Sequence, residues 1–432
     1  MKSFLLATFE GGGSVTPVLE VARRLVARGH RVRLMSDACN RVDALATGAR
    51  FVPWTIAPSK IGRTREFDLF RDWAAPTPIE GIMAACHAQF TGPARAFADD
   101  IMAELAREPA DLVVANELLF GTHLGCEAVG QNMVLLGVNI NLFPPAGVPP
   151  MGPGLMPAAT AQEAAEHEAV RDGIRAAFDA GALPALNAAR ESLGLLPLAH
   201  LVDQHRAGRA LLLATSRAFD FAPDPVPEGL HYVGPVLAEP GWAATFESPF
   251  ARDDRRPLVA VAFSTTFQNH AGTVRNVVDA LARLPARGLV TLGGSLLRSE
   301  LAAIPDNVAV IDTAPHGELM RDAAVVVTHG GHGTVMKALA AGCPLLVMPH
   351  GRDQADNAAR VAARGAGLTL DAAAGVDEIH AALRRLLDEP GFTDAAVGLG
   401  HQVRAEAENS PLVSLLEEMA QMPLRSSTLC AA

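Results

Sequence analysis

Short apolar runs alternate with helix-period patterns along almost the whole chain, and that alternation restricts the fold more than any other feature. Residues 4–8 of "MKSFLLATFE" read as a strand. A glycine turn, "GGGSVTP" (11–17), follows, and residues 18–28 then place Val18, Val21, Ala22 and Leu25 on one helical face. Gly29 ends that helix, and 32–35 is the next strand. Strand, helix and strand at this spacing make a βαβ unit, which implies a parallel sheet. Helical patterns recur around 78–97 and 99–107, and "DLVVAN" (111–116) and "NMVLLGVNI" (132–140) are further strands. A second series holds "ALLLATS", "HYVGPV", "LVAVAFST", "GLVTLGG", "VAVID", "AAVVVTHGG" and "PLLVMPH". The expected architecture is α/β: two Rossmann-like, doubly wound parallel-sheet domains facing each other across a cleft.

At 432 residues the chain exceeds one ordinary core, and the polar, punctuated run "LAEPGWAATFESPFARDDRRP" supplies a linker between two. The expected division is an N-terminal domain over 1–220, a linker over 221–256 and a C-terminal domain over 257–405. A helix and tail over 406–432 can pack back on the first domain. A net charge of −11 argues against nucleic acid or an anionic membrane as the main partner. The five cysteines (Cys39, Cys86, Cys126, Cys343, Cys430) form no CxxC pair, which fits reduced thiols. No run offers the ~18 apolar residues of a membrane span, so a soluble cytoplasmic protein, monomer or homodimer, is expected.

The most informative segment is 314–360, "APHGELMRDAAVVVTHGGHGTVMKALAAGCPLLVMPHGRDQADNAAR". A strand ends in His329-Gly330-Gly331-His332-Gly333-Thr334, and a helix is expected from Thr334. Glycines let backbone amides approach a ligand, and a helix start adds unpaired N–H donors and partial positive charge. Thr334 can cap the helix or bond a phosphate, and His329 can donate to a diphosphate without a metal. The next strand delivers Asp353 and Gln354, an acceptor and a mixed donor–acceptor suited to sugar hydroxyls. A generic βαβ loop with a capping or core histidine is the plainer reading of the His-Gly-Gly run alone.

The run as a whole resembles the donor-binding motif of the family 1 glycosyltransferases of the GT-B fold, the natural-product enzymes of bacteria and plants. Pro315-His316, the His329–Gly331 run with Thr334, "ALAAGCPLLVMP" and Asp353-Gln354 with Asn357 carry the likeness. The "VGP" at 233–235 and the pattern from Pro17 to Val32 extend it over nearly the whole chain. The resemblance implies an acceptor-binding N-terminal domain and a nucleotide-sugar-binding C-terminal one. It implies that His329 binds the donor diphosphate, that Gly331, Gly333 and Thr334 shape the phosphate loop, and that Asp353 and Gln354 bind sugar hydroxyls. It places the Thr265 hydroxyl near the phosphates. Two departures stand out: Thr313 where many members stack a tryptophan on the base, and Lys337 where many hold the ribose with glutamate. The implied donor is UDP-glucose by preference, with a TDP-deoxysugar as the alternative.

The resemblance moves "GGGSVTP" to the acceptor side, with Gly12 and Gly13 beside the acceptor; the glycines equally fit a tight strand-to-helix turn. The GxGxxG spacing of a dinucleotide loop is absent. Where the family carries its general base this chain has Ser14, and the usual partner aspartate is Asn116. Either another group acts as base (Glu117, His87 or His123, each with a plain structural reading), or an acidic acceptor needs only positioning by Ser14. A non-catalytic sugar-nucleotide-binding homologue is the alternative. The expected reaction is inverting transfer without metal or cofactor, giving a β-glycoside. The Pro-rich loop 142–157 with His87, Phe90, Phe120 and Phe143 suggests a pocket for a flat, aromatic or polyketide-like acceptor.

Overall fold

A computed structural model describes residues 1–423 apart from 70, 76, 240, 242–245 and 302–303; part of the expected linker and the tail with Cys430 lie outside the described residues. The strands are β1 (Ser3–Ala7), β2 (Arg31–Ser36), β3 (Arg50–Pro53), β4 (Leu112–Asn116), β5 (Met133–Gly137), β6 (Leu211–Leu213) and β7 (Leu230–Tyr232), then β8 (Leu258–Ala262), β9 (Arg287–Thr291), β10 (Val308–Ile311), β11 (Ala323–Thr328), β12 (Leu345–Val347) and β13 (Gly367–Thr369). They form two sheets, in the orders β3-β2-β1-β4-β5-β6-β7 and β10-β9-β8-β11-β12-β13. Neighbours pair in parallel throughout, from Phe4 opposite Val32 to Leu345 opposite Gly367.

Each sheet is covered on both faces, because successive side chains of a strand point opposite ways. In β1, Phe4 and Leu6 enter one core with Val18, Val21 and Leu25 of the helix Val15–Ala27, while Leu5 and Ala7 enter the other with Phe97 and Phe120. The second sheet repeats the scheme: Val259 and Val261 face one core, Leu258 and Ala260 the other.

One strand lies outside its expected domain. "ALLLATS" supplies β6 within the N-terminal domain, and "HYVGPV", in the expected linker 221–256, supplies β7, which extends the first sheet beside β6. A short apolar run carries no label for its partner; the pairing of Leu211 with Leu135 decides it. The first sheet therefore reaches into the segment 221–256. The helical stretch after residue 78 also breaks differently: Pro78–Cys86 runs into a π turn, His87–Thr91, before the helix Ala94–Arg107. At the far end, Leu412, Leu416 and Met419 of the helix Leu412–Met419 bury against Val18, Val21 and Leu25. The exposed Arg28–Glu417 pair (2.7 Å) adds little to that apolar contact.

In both sheets the strand order reverses beside the first strand, between β1 and β4 and between β8 and β11. Loops leaving the carboxyl ends diverge there and leave a crevice. The segments delivered are 8–14 and 116–119 from one domain, 263–268 and 329–333 from the other.

Candidate functional site

The two crevices face each other and enclose a cavity of about 320 Å³. Its walls differ in chemistry. The N-terminal domain contributes Phe9, Phe90, Phe120, Phe143 and Phe178 with Leu118 and Val138; the C-terminal domain contributes Ser264–Thr266, His329, Gly331–Thr334 and Arg352–Gln354. One wall is a greasy, aromatic surface and the other a row of donors and acceptors.

On the polar wall the helix His332–Ala340 begins two residues before the expected start, with Gly331 as its N-cap; Thr334 therefore lies in the first turn and does not cap it. Its early amides and the Thr334 side chain border the cavity. A Cβ on Gly331 would stand 2.7 Å from His329 Nε2, so the imidazole lies directly against the loop and only glycine fits beneath it. Burial first, then the neighbouring His270, His350 and Arg352, hold the His329 pKa well below the usual histidine range. The ring is neutral and acts as an N–H donor or an acceptor, not as a cation.

Asn357 ties the two halves of the motif, donating from Nδ2 to the Gly330 carbonyl (2.9 Å) and to Asp353 Oδ2 (2.9 Å). Asp353 keeps a face on the cavity, and burial raises its pKa. Gln354 also lines the cavity, but its amide is engaged: Oε1 accepts from the His350 amide (2.7 Å) and Nε2 donates to Gln268 Oε1 (2.7 Å). Gln354 thus shapes the loop as much as it presents a donor. Thr265 and Thr313 both line the cavity.

Lys337 departs from expectation in an informative way. Its Nζ donates to Glu239 Oε2 (2.8 Å), and the Glu239 carboxylate also accepts from the amides of His316 (3.2 Å) and Gly317 (2.7 Å). Glu239, His316 and Lys337 all line the cavity, so a carboxylate reaches this wall from another part of the chain.

On the N-terminal side, Gly12, Gly13, Ser14, Phe90, Phe120 and Phe143 line the cavity. Four expected site residues do not. His87 is exposed at the outer side of the π turn that points Phe90 inward. Asn116 is buried, its Oδ1 accepting the Leu118 amide (3.0 Å), so it braces the turn after β4. Glu117 is 1% exposed, and neither carboxylate oxygen has a hydrogen-bond partner. Burial, and then the charge of Asp353, push its pKa up to about 8. A sealed carboxylic acid cannot collect a proton from a molecule in the cleft. His123 is sealed as well: it bonds the Asn116 carbonyl through Nε2 (2.9 Å), and burial lowers its pKa to about 3.

Sequence reasoning missed Asp72, Glu239 and Arg352, all of which line the cavity. Arg352 sits inside the quoted "HGRDQ" and its neighbour Asp353 was singled out; the signal for Asp72 and Glu239 was absent, since both lie in irregular, polar segments.

Comparison with known proteins agrees with this geometry. Residues 275–419 match the family described as erythromycin biosynthesis protein CIII-like, C-terminal domain. The chain is 29% identical over 432 residues to 4'-demethylrebeccamycin synthase of Lentzea aerocolonigenes, spanning 96% of this chain and 98% of that protein. It is 38% identical over 173 residues to aklavinone 7-beta-L-rhodosaminyltransferase of Streptomyces galilaeus, 38% of each chain. In fold it is similar to the crystal structure of the kitacinnamycin glycotransferase, with a TM-score of 0.76 at 20% identity over 97% of this chain and 98% of that one. The chain has the GT-B fold, two facing parallel-sheet domains with a His-Gly-Gly loop on the polar wall of their cleft, and the proteins it is similar to are named glycosyltransferases or synthases.

Proposed function

We propose that the protein transfers a sugar, with inversion, from a nucleoside diphosphate sugar to an uncharged, flat, hydrophobic acceptor, and that it does so without a metal or cofactor. The observation that carries this reading is the asymmetry of the cavity. Five phenylalanines on one wall suit a planar ring system, because apolar burial with offset or edge-on ring contacts favours such a shape. The opposite wall offers amides at a helix start, hydroxyls and a neutral imidazole, which suit a diphosphate.

In this reading the acceptor lies between Ser14 and the aromatic wall and attacks the anomeric carbon from the face opposite the leaving group. His329, Thr334 and the amides after Gly331 stabilise the charge that develops on the departing diphosphate. Asp353 and Gln354 hold the sugar hydroxyls. Ser14 orients the nucleophile, and orientation in a near-attack geometry supplies much of the rate. Glu117 and His123 are sealed and His87 faces out, which favours an acceptor that needs little help, such as an acidic phenol or an activated carbon. A relative named as a 2-deoxy-L-fucose transferase and a similar fold solved in complex with dTDP support a TDP-deoxysugar donor beside UDP-glucose.

The test is a donor-by-acceptor screen. UDP-glucose and TDP-deoxysugars are each incubated with planar phenols and indole-type acceptors, and products are read by mass spectrometry with the anomeric configuration assigned by NMR. A β-linked product with stoichiometric nucleoside diphosphate is expected. Nucleotide bound tightly with no product on any acceptor would remove the proposal.

A further inference from the structure

Arg352 has a backbone φ of 57°, the left-handed region that a residue with a Cβ enters only at a cost. The surrounding structure must hold it there, and its side chain shows what does. Nε donates to Asp72 Oδ2 (2.8 Å), one terminal nitrogen donates to Asp72 Oδ1 (3.1 Å) and the other to Thr266 Oγ1 (3.0 Å). The two-pronged bond to a carboxylate is the geometry for which a guanidinium is pre-shaped. Both side chains are largely withdrawn from solvent, at 24% and 14% exposure.

The pair spans the domains. Asp72 opens a 3₁₀ turn, Asp72–Ala74, of the N-terminal domain; Arg352 stands immediately before Asp353 on the loop after β12. Both line the cavity, and among the described residues lining it Asp72 is the one carboxylate that the N-terminal domain contributes. Two aromatic contacts reinforce the bond. Trp73 packs edge-on against Phe267 of the other domain (centroids 4.8 Å apart), and the Arg65 guanidinium lies 3.8 Å from the same ring centroid. An arrangement built only for stability would not need a strained arginine at the lip of the reaction cleft.

We propose that Asp72 and Arg352 are positioning residues: their ion pair fixes the separation of the two walls, so that the sugar held beside Asp353 meets the acceptor at reacting distance. The inference rests on the transfer reaction proposed above. Its physical basis is the steep dependence of rate on approach geometry, where an error of about 1 Å can cost about a hundredfold. The pair neither binds the leaving group nor takes the acceptor proton.

The experiment uses the full chain as wild type, Asp72→Asn, Arg352→Gln and the exchanged pair Asp72→Arg with Arg352→Asp. Three quantities are read: hydrogen exchange of the amides at 72–74 without substrate, equilibrium binding of uridine or thymidine diphosphate, and kcat and KM for transfer. Each single variant should exchange faster at 72–74 and lose about tenfold in kcat/KM, carried by kcat. Diphosphate affinity should stay within about twofold in Asp72→Asn, since Asp72 lies outside the C-terminal domain that carries the proposed diphosphate site, and the exchanged pair should recover both losses. Unchanged exchange in the single variants would show that no tie exists. Faster exchange with an undiminished kcat/KM would show a tie that positions nothing. Failure of the exchanged pair to recover either quantity would assign the effect to one side chain's own chemistry. A wild type that transfers no sugar at all would instead defeat the functional reading, and the exchange measurement would still decide the tie.

Discussion

Gly12 of the N-terminal domain and Thr265 of the C-terminal domain stand so close that a Cβ on Gly12 would lie 2.9 Å from the Thr265 hydroxyl oxygen. The glycine also has a φ of 71°. The two requirements are independent, one local and one across the cleft, and they converge on a single residue of the "GGG" run. Its neighbour Gly13 has nothing within 4 Å of its virtual Cβ and opens on the cavity.

Gly12→Ala should therefore cost both stability and rate. The left-handed backbone alone costs about 1–2 kcal/mol, and the new methyl presses on Thr265 and Thr266. A lower melting temperature and a fall in kcat/KM of at least about tenfold are expected, against a near-normal melting temperature for Gly13→Ala. Calorimetric scans with steady-state kinetics check this; a Gly12→Ala enzyme with both values intact would show that the close approach does not govern transfer.

His329→Ala should cut kcat by about 10²–10³-fold, the range for removing one preorganised donor to a developing anion. Because the imidazole is held neutral, its contribution is a hydrogen bond rather than a full charge, and His329→Gln, which keeps an N–H, should retain part of the rate. Wild-type kcat in the alanine variant would exclude a role at the diphosphate.

Ser14→Ala should change kcat/KM by less than about tenfold with an acidic phenol, since the serine is assigned only to orientation. A loss above ~10³-fold would match general-base catalysis and point to a proton relay through the hydroxyl. Rates across a series of phenols of graded acidity separate these outcomes.

Two sets of buried groups should make stability depend on pH in opposite senses. Burial lowers His123 to about 3 and His205, His270, His316 and His332 to about 4. A histidine depressed in the folded state is protonated first in the unfolded chain, so stability is lost as pH drops from about 6.5 toward those values, by up to about 1.4 kcal/mol per unit per group. Glu117 works in the opposite sense. Raised to about 8 when folded, it ionises first in the unfolded chain, and its contribution disappears as pH rises toward 8. The histidines are the same in Glu117→Gln, so the difference between the two proteins isolates it. Denaturant titrations should show the stability of wild type relative to Glu117→Gln falling by roughly 2 kcal/mol between pH 6.5 and 8. Parallel curves for the two proteins would mean that the Glu117 carboxyl is not held protonated.

The polar wall of the cavity was readable from sequence because its signals are local. His329, Gly331, Gly333 and Thr334 lie within six residues on one strand-to-helix turn, and Asp353 and Gln354 leave the next strand at the same edge. The base candidates were misplaced because residue type says nothing of exposure: Glu117 and His123 have the right chemistry and are sealed, while His87 faces solvent by the geometry of a π turn. Burial is set by what packs on a residue from elsewhere, and a single sequence does not carry it.

By itself the sequence determined two parallel α/β layers and the phosphate-ready loop, since periods of 2.0 and 3.6 and glycine turns are properties of neighbouring residues. The tertiary structure alone decided that β6 and β7 join the first sheet, that Glu239 answers Lys337 and that Asp72 meets Arg352. The last two pairings join residues 98 and 280 positions apart, and no local rule of geometry connects them.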